Sequence, residues 1–185
     1  AAVTAVPGRF EIVSDASDEV AVVIDFAHTD DALRLLLESA RPLVSGRLIT
    51  VFGCGGDRDR SKRPLMGVVA ARLSDLVLVT SDNPRSEDPR AIIEDTVAGI
   101  KTRYAGQEGN RASVRDVGQQ TPFVTIVDRA AAISHAVGEA RRGDVVIIAG
   151  KGHETYQVIA GETVPFNDAA VARAALTHRR SNSRV

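Results

Sequence analysis

Tryptophan is missing from this sequence, tyrosine occurs twice and phenylalanine five times. So few aromatics leave no platform on which successive bases could stack, which argues against a binder of single-stranded nucleic acid. An excess of one charge is missing too: 23 Lys and Arg face 24 Asp and Glu, the net charge is −1, and no basic stripe runs along the chain. No nucleic-acid partner and no anionic membrane surface is expected. Cys54 is the single cysteine, which excludes an internal disulfide and suits a reducing compartment. Apolar runs are short, well below a membrane span, and the first residues lack a basic segment followed by an apolar core. The expected setting is the cytoplasm. Nowhere does G-x-x-x-x-G-K-S/T occur, so these residues carry no P-loop of their own.

What is present suffices for a core. A chain of 185 residues with 44% hydrophobic content can bury ~70% of its unfolded surface without staples. Residues 1–15, punctuated by Pro7-Gly8, read as an interdomain connector, 16–178 as one domain and 179–185 as a tail. Val20–Ile24 is a continuous β-branched run, the pattern of a strand buried on both faces. Thr29 can cap a helix with Asp30 and Asp31 in its first turn and Leu33, Leu36, Leu37 and Ala40 on one side. The unit repeats with a strand at Leu48–Phe52 and a helix opened by Pro64, then with a strand at Leu76–Val79 and a helix started by Asp88-Pro89. Gly106–Thr121 is a patternless polar excursion. A strand at Phe123–Val127 leads to a helix capped by Asp128, and a strand at Val145–Ala149 to a hairpin of Tyr156–Ile159 and Thr163–Phe166. Asn167 or Asp168 caps a final helix. This alternation predicts an α/β fold, a doubly wound, mostly parallel Rossmann-like sheet with helices on both faces. Function is then expected in the loops beyond the strand C-termini.

Those loops hold the chemistry. In Thr80-Ser81-Asp82-Asn83-Pro84-Arg85-Ser86-Glu87-Asp88-Pro89, Pro84 stiffens a bend flanked by Asn83 and Arg85. A guanidinium there could grip a carboxylate with two parallel hydrogen bonds, or simply sit on a solvated turn. Gly53-Cys54-Gly55-Gly56 gives backbone freedom that could cradle an anion, but it is not a dinucleotide fingerprint, since Arg58 stands where the third glycine belongs. The alternating charges Asp57 to Arg63 read as a solvated surface. Cys54 reads as a small packing residue. His153-Glu154 is not a zinc motif, because Gln157 occupies the place of the second histidine. His28, beyond a strand end, is open to a site role or to that of a plain loop histidine.

Five stretches in this order, DFAHTDDAL, VFGCGGDRDRSKRPLMG, TSDNPRSEDPRAI, DRAAAI and GKGHETYQ, resemble the C-terminal domain of the Mur ligases. The resemblance runs from about Pro7 to Phe166. In that family one domain binds a UDP-sugar, a central one carries the P-loop and the magnesium sites, and the C-terminal one brings the incoming amino acid and closes over ATP. The form D-N-P-R is that of members which add meso-2,6-diaminopimelate to a UDP-N-acetylmuramoyl dipeptide. The resemblance implies a diaminopimelate pocket of Arg58, Asp82, Asn83, Pro84, Arg85, Gly150 and Glu154. It implies nucleotide contacts at Arg9, Asp25 and His28, with Lys151 as a phosphate neighbour. ATP and Mg2+ are the implied cofactors, their phosphate and metal sites lying mainly in the absent central domain. No catalytic residue and no metal ligand is expected here, and these residues alone are expected to be inactive. Glu154 and the Gly150 carbonyl suit ammonium groups, and the arginines suit carboxylates. Phe26 departs from the family's usual Tyr, and Asp30 from its usual Pro. Alternatives are a non-catalytic amino-acid-binding module, or the corresponding domain of a folylpolyglutamate or cyanophycin synthetase.

Overall fold

A computed structural model describes residues 6–105 and 121–182. Its parallel strands are β2 (Ala21–Asp25), β3 (Leu48–Phe52), β4 (Leu76–Val79), β5 (Phe123–Thr125) and β6 (Val145–Ala149), with a short antiparallel edge strand β1 (Glu11–Ile12). Their order across the sheet is β1-β2-β6-β3-β4-β5. The helices are α1 (Asp30–Ala40), α2 (Lys62–Leu73), α3 (Pro89–Ala105), α4 (Arg129–Glu139) and α5 (Asp168–Asn182), and a separate hairpin pairs β7 (Tyr156–Ile159) with β8 (Glu162–Pro165).

Period-two alternation sorts the strands' side chains onto two faces. Val23, Leu48, Phe52, Val77, Val79 and Ile147 meet α1, α2 and α3 on one face. Val22, Ile24, Ile49, Val51, Leu78, Val146 and Ile148 meet α4 and α5 on the other. Because both faces are covered, the central strands β3, β4 and β6 are apolar except for the buried Thr50. Register then levels their ends. Asp25 and Phe52 both pair with Ala149, Phe52 also pairs with Val79, and Val79 with Thr125. Five loops therefore leave one edge at the same height. β6 lies between β2 and β3, whose following helices cover the opposite face from the one α5 covers. Its loop accordingly opens at the point where the winding reverses, the crevice in which such sheets hold ligands.

The expected caps form. Thr29 Oγ1 accepts from Ala32 N (3.2 Å), Asp128 Oδ1 from Ala131 N (2.7 Å), Asn167 Oδ1 from Ala170 N (2.8 Å) and Asp88 Oδ1 from Arg90 N (2.8 Å). Several expected boundaries are corrected. Helix α2 begins at Lys62, not Pro64, since a proline in the first turn lacks only an N–H that would have no intrahelical partner. Strand β5 ends at Thr125, not Val127. The second hairpin strand is Glu162–Pro165, because Ala160 and Gly161 both take positive φ and form a two-residue turn closed by the Ile159–Glu162 pair. Glu11–Ile12 of the expected connector belongs to the sheet. Helix α5 runs into the expected tail, where Arg180 pairs with Asp15 and Asp18 at 2.8 and 2.7 Å. Residues 106–120 of the polar excursion lie outside the described residues.

Helices α2 and α3 cross through two glycines. A Cβ on Gly67 would lie 2.1 Å from Thr96 O, and one on Gly99 would lie 1.9 Å from Pro64 O. Helix propensity alone favours Gly→Ala in a helix interior by ~0.5–1 kcal/mol. The backbone contact reverses that sign, so Gly99→Ala is expected to destabilise by ~1–3 kcal/mol in chemical denaturation. A neutral or stabilising result would mean that the crossing is looser than described.

Candidate functional site

The loop after β4 is the most constrained part of the edge. Asp82, Asn83 and Pro84 are buried and Arg85 is half-buried. Asn83 Nδ2 donates to Glu154 Oε2 (3.1 Å), while Asn83 Oδ1 accepts from Val158 N (3.0 Å) and Lys151 Nζ (3.0 Å). Gln157 Nε2 donates to Asp82 O at 2.7 Å. Arg85 takes a left-handed backbone (φ 55°) and donates its own N–H to Val158 O at 2.9 Å. That conformation costs a non-glycine residue ~1 kcal/mol or more, and the hairpin's hydrogen bond holds it. Nη1 of Arg85 donates to Gly56 O (2.8 Å) and Asn83 O (3.3 Å). Among the described residues its Nε and Nη2 have no protein acceptor, which leaves one edge of the guanidinium for a ligand.

Lys151 departs most from expectation. Its ammonium is wholly buried, 2.7 Å from Tyr156 O, 3.2 Å from Glu154 Oε2 and 3.1 Å from Asp82 Oδ1. The Asp82 contact is an ion pair without a hydrogen bond. Glu154 is half-buried, and its Oε2 already accepts two hydrogen bonds. Gly150, at φ 119°, donates its N–H to Asp25 O (3.0 Å).

The loop after β3 joins this unit from the other side. Gly56 N donates to Asn83 O at 2.9 Å, and a Cβ on Gly56 would meet Pro84 O at 1.9 Å. Asp57 accepts from Ser86 through both N (3.1 Å) and Oγ (2.7 Å). The charges of residues 57–63 are not uniformly solvated, which corrects that expectation. Arg63 is 1% exposed and reaches Glu87 (2.8 and 3.1 Å), Asp95 (2.9 Å) and Gly55 O (3.3 Å). Hydrogen bonds from Arg63, then from the Asp57 amide, pull the Glu87 carboxyl down to about 2. Arg58 is exposed, donating to Asp57 O at 3.0 Å. A Cβ on Gly55 would stand 3.0 Å from Arg85 Nη1 and 3.8 Å from Arg58 Cγ. The two arginines thus flank Gly55 on one rim.

A second cluster gathers beyond β2, around Phe26. Its ring makes an edge contact with His28 (centroids 4.6 Å), lies 5.5 Å from His153, and carries Arg9 at 5.7 Å over its face. His28 Nδ1 lies 2.8 Å from Phe26 O. Asp25 receives the amides of Phe10 and Ala27, each at 2.8 Å. Its carboxylate therefore ties the incoming segment to the strand end, with lone pairs remaining. Gly8 packs so closely on this loop that a Cβ would lie 2.1 Å from His153 N. Among the described residues no cluster of His, Cys, Asp and Glu is suited to a metal, and no helix is long and apolar enough to cross a membrane. Two clefts, of about 280 Å3 at the opposite sheet edge and about 440 Å3 between α4 and α5, have no loop of this site in their lining.

The family profile described as Mur ligase, glutamate ligase domain, matches residues 8–152. The chain belongs to the Mur ligase family. It is 53% identical over 176 residues to UDP-N-acetylmuramoyl-L-alanyl-D-glutamate–2,6-diaminopimelate ligase of Gloeobacter violaceus, covering 95% of this chain and 32% of that protein. It is 54% identical, with the same coverage, to the protein of that name from Solibacter usitatus. A solved structure of a ligase so named superimposes with a TM-score of 0.78 at 40% identity, over 96% of this chain and 33% of that one. The chain therefore spans about a third of the length of the curated relatives it matches.

In this Mur ligase domain Asp82, Asn83, Pro84, Arg85 and Glu154 form one bonded unit, Arg58 stands exposed on its rim, and Gly150 joins it to the Asp25 side. Sequence reasoning undervalued Lys151 and missed Arg63 and Arg129. The Arg129 guanidinium is fully buried in a two-bond pair with Asp168 (2.8 Å each) and also reaches Ala149 O (3.1 Å). An arginine in the first turn of a helix that covers the sheet was the available signal, but its partner Asp168 lies 39 residues further on.

Glu87 gives the site an acid signature. Its folded pKa of about 2 is below the ordinary 4.5, so its contribution is complete above ~pH 4.5 and is lost as pH falls through ~2. The stability gap between the parent and Glu87→Gln is expected to narrow across that interval, read from urea midpoints at pH 5, 4, 3 and 2. A gap that stays constant would show that the Glu87 charge does not hold the two loops together.

Proposed function

We propose that this domain supplies the amino-acid site of an ATP-dependent ligase that adds meso-2,6-diaminopimelate to UDP-N-acetylmuramoyl-L-alanyl-D-glutamate. The observation that carries the reading is the bonded unit of Arg85, Asn83 and Glu154. It offers a guanidinium edge and a free carboxylate oxygen, Glu154 Oε1, on a rigid frame. A zwitterionic amino acid with a second carboxylate and a second ammonium matches that pairing of charges. Relatives of that name at about half identity over nearly the whole chain support the same substrate.

The residues assigned to diaminopimelate are Arg58 and Arg85 for carboxylates, Glu154 and the Gly150 carbonyl for ammonium, and Asp82, Asn83 and Pro84 for loop shape. Arg9 and His28, exposed around the Phe26 ring, are the residues that would face a nucleotide, and Asp25 would reach it while bracing Phe10. ATP, when bound, activates the dipeptide carboxylate as an acyl phosphate. The chain's own part is to hold the diaminopimelate amine in line for attack, so that the C–N bond forms as the C–O bond to phosphate breaks and the amine loses its proton. Positioning of this kind is a large part of such catalysis. The metal and phosphate ligands are assigned mainly to other parts of the larger enzyme. A cytoplasmic setting follows from the use of ATP.

Arg85 is expected to select diaminopimelate over lysine, which lacks the side-chain carboxylate. A desolvated guanidinium left unpaired penalises the wrong substrate. A charge-assisted pair here is worth on the order of 2–4 kcal/mol, or ~30-fold to ~1,000-fold. Arg85→Ala in the full-length ligase should weaken diaminopimelate by that factor and lysine hardly at all, and Arg85→Lys should recover little. Equal weakening of both amino acids in steady-state kinetics would reduce Arg85 to a loop-shaping residue.

A further inference from the structure

The Lys151 ammonium is 0% exposed and has four oxygens within 3.2 Å: Tyr156 O, Asn83 Oδ1, Asp82 Oδ1 and Glu154 Oε2. An ammonium has three protons. They go to Tyr156 O, Asn83 Oδ1 and Glu154 Oε2, and Asp82 supplies charge alone. The other fully buried cations of the edge are committed elsewhere, Arg129 to Asp168 and Arg63 to Glu87 and Asp95.

Three consequences follow for the side chains that meet the ligand. Asn83 can hold only one amide orientation, because a flipped amide would aim its NH2 at the ammonium and at Val158 N. Its Nδ2 is thereby fixed on Glu154. Glu154 Oε2 is saturated by Lys151 and Asn83, which leaves Oε1 as the acceptor turned to a ligand. Without the cation, Asp82 and Glu154 would lose the positive charge in direct contact with them and keep only the field of Arg129, which is paired with Asp168, and burying poorly compensated charges is costly. The geometry points to Lys151 as a positioning residue for the amino-acid site, acting through Asn83 and Glu154 without touching the substrate. This rests on the reading above that the substrate is diaminopimelate.

The test uses the full-length ligase that carries this domain. Lys151→Met keeps the stem and removes the charge. The KM for diaminopimelate should rise at least ~30-fold, the loss expected when one partner of a buried charge network is removed, while the KM for ATP stays within ~3-fold. The double variant Lys151→Met, Glu154→Gln should be no worse than the worse single variant, since residues acting as one unit are not additive. In hydrogen exchange, residues 82–87 and 151–159 should lose protection in Lys151→Met while β3 and β6 keep theirs. Equal rises in both KM values, additive losses, or loss of protection in β3 and β6 would overturn the proposal, since Lys151 would then be a general stability residue. If the parent ligase does not use diaminopimelate, the functional reading fails by itself. Unchanged exchange in Lys151→Met would then overturn the positioning role on its own evidence.

Discussion

A positive charge without water is the constraint on which the functional edge depends. The Lys151 ammonium is sealed, and a buried ion is tolerated only when surrounding groups take over from solvent. Here those groups come from the loop after β4 (Asp82, Asn83), the loop after β6 (Glu154) and the start of the hairpin (Tyr156 O). Satisfying the ion therefore fixes three segments relative to one another. The hydrophobic core levels the strand ends, but apolar packing is non-directional and would not orient an amide or choose between two carboxylate oxygens. Hydrogen bonds to one buried cation do both.

Much of the frame was legible in the sequence, because strands buried on both faces and side-chain caps leave local signatures. Val20–Ile24 and Leu76–Val79 read as strands from their runs alone, and Thr29 and Asp128 read as caps from one residue each. The site was legible as loops, and D-N-P-R as a stiff bend. Pairings between distant residues were not legible. Arg63 reads as one of several solvated charges, yet Glu87 and Asp95 meet it across the loops, and nothing local in GKGHE marks Lys151 as buried beneath Tyr156 O. A charged side chain in a glycine-rich loop carries no local mark of burial, since its partners are set by register and by the turn at Ala160-Gly161.

Two sides of the edge share one loop. Residues 150–154 face the Asn83 unit through Lys151 and Glu154, and face the Phe26 cluster through Gly152 and His153. A Cβ on Gly152 would lie 2.7 Å from Gly8 O and 2.8 Å from Phe26 Cβ, so the incoming segment sits directly on the loop that orders the amino-acid side. Phe26 is the ring that Arg9, His28 and His153 surround.

The central claim is that the amino-acid site is built before its ligand arrives. A crystal structure of the full-length ligase with meso-2,6-diaminopimelate tests it most directly. The predicted result has Lys151 still bonded to Asn83 Oδ1, Glu154 Oε2 and Tyr156 O, with a ligand carboxylate on the free edge of Arg85 and a ligand ammonium on Glu154 Oε1. A structure in which the amino acid lies away from these loops, or in which binding pulls Asn83 or Glu154 off Lys151, would contradict it.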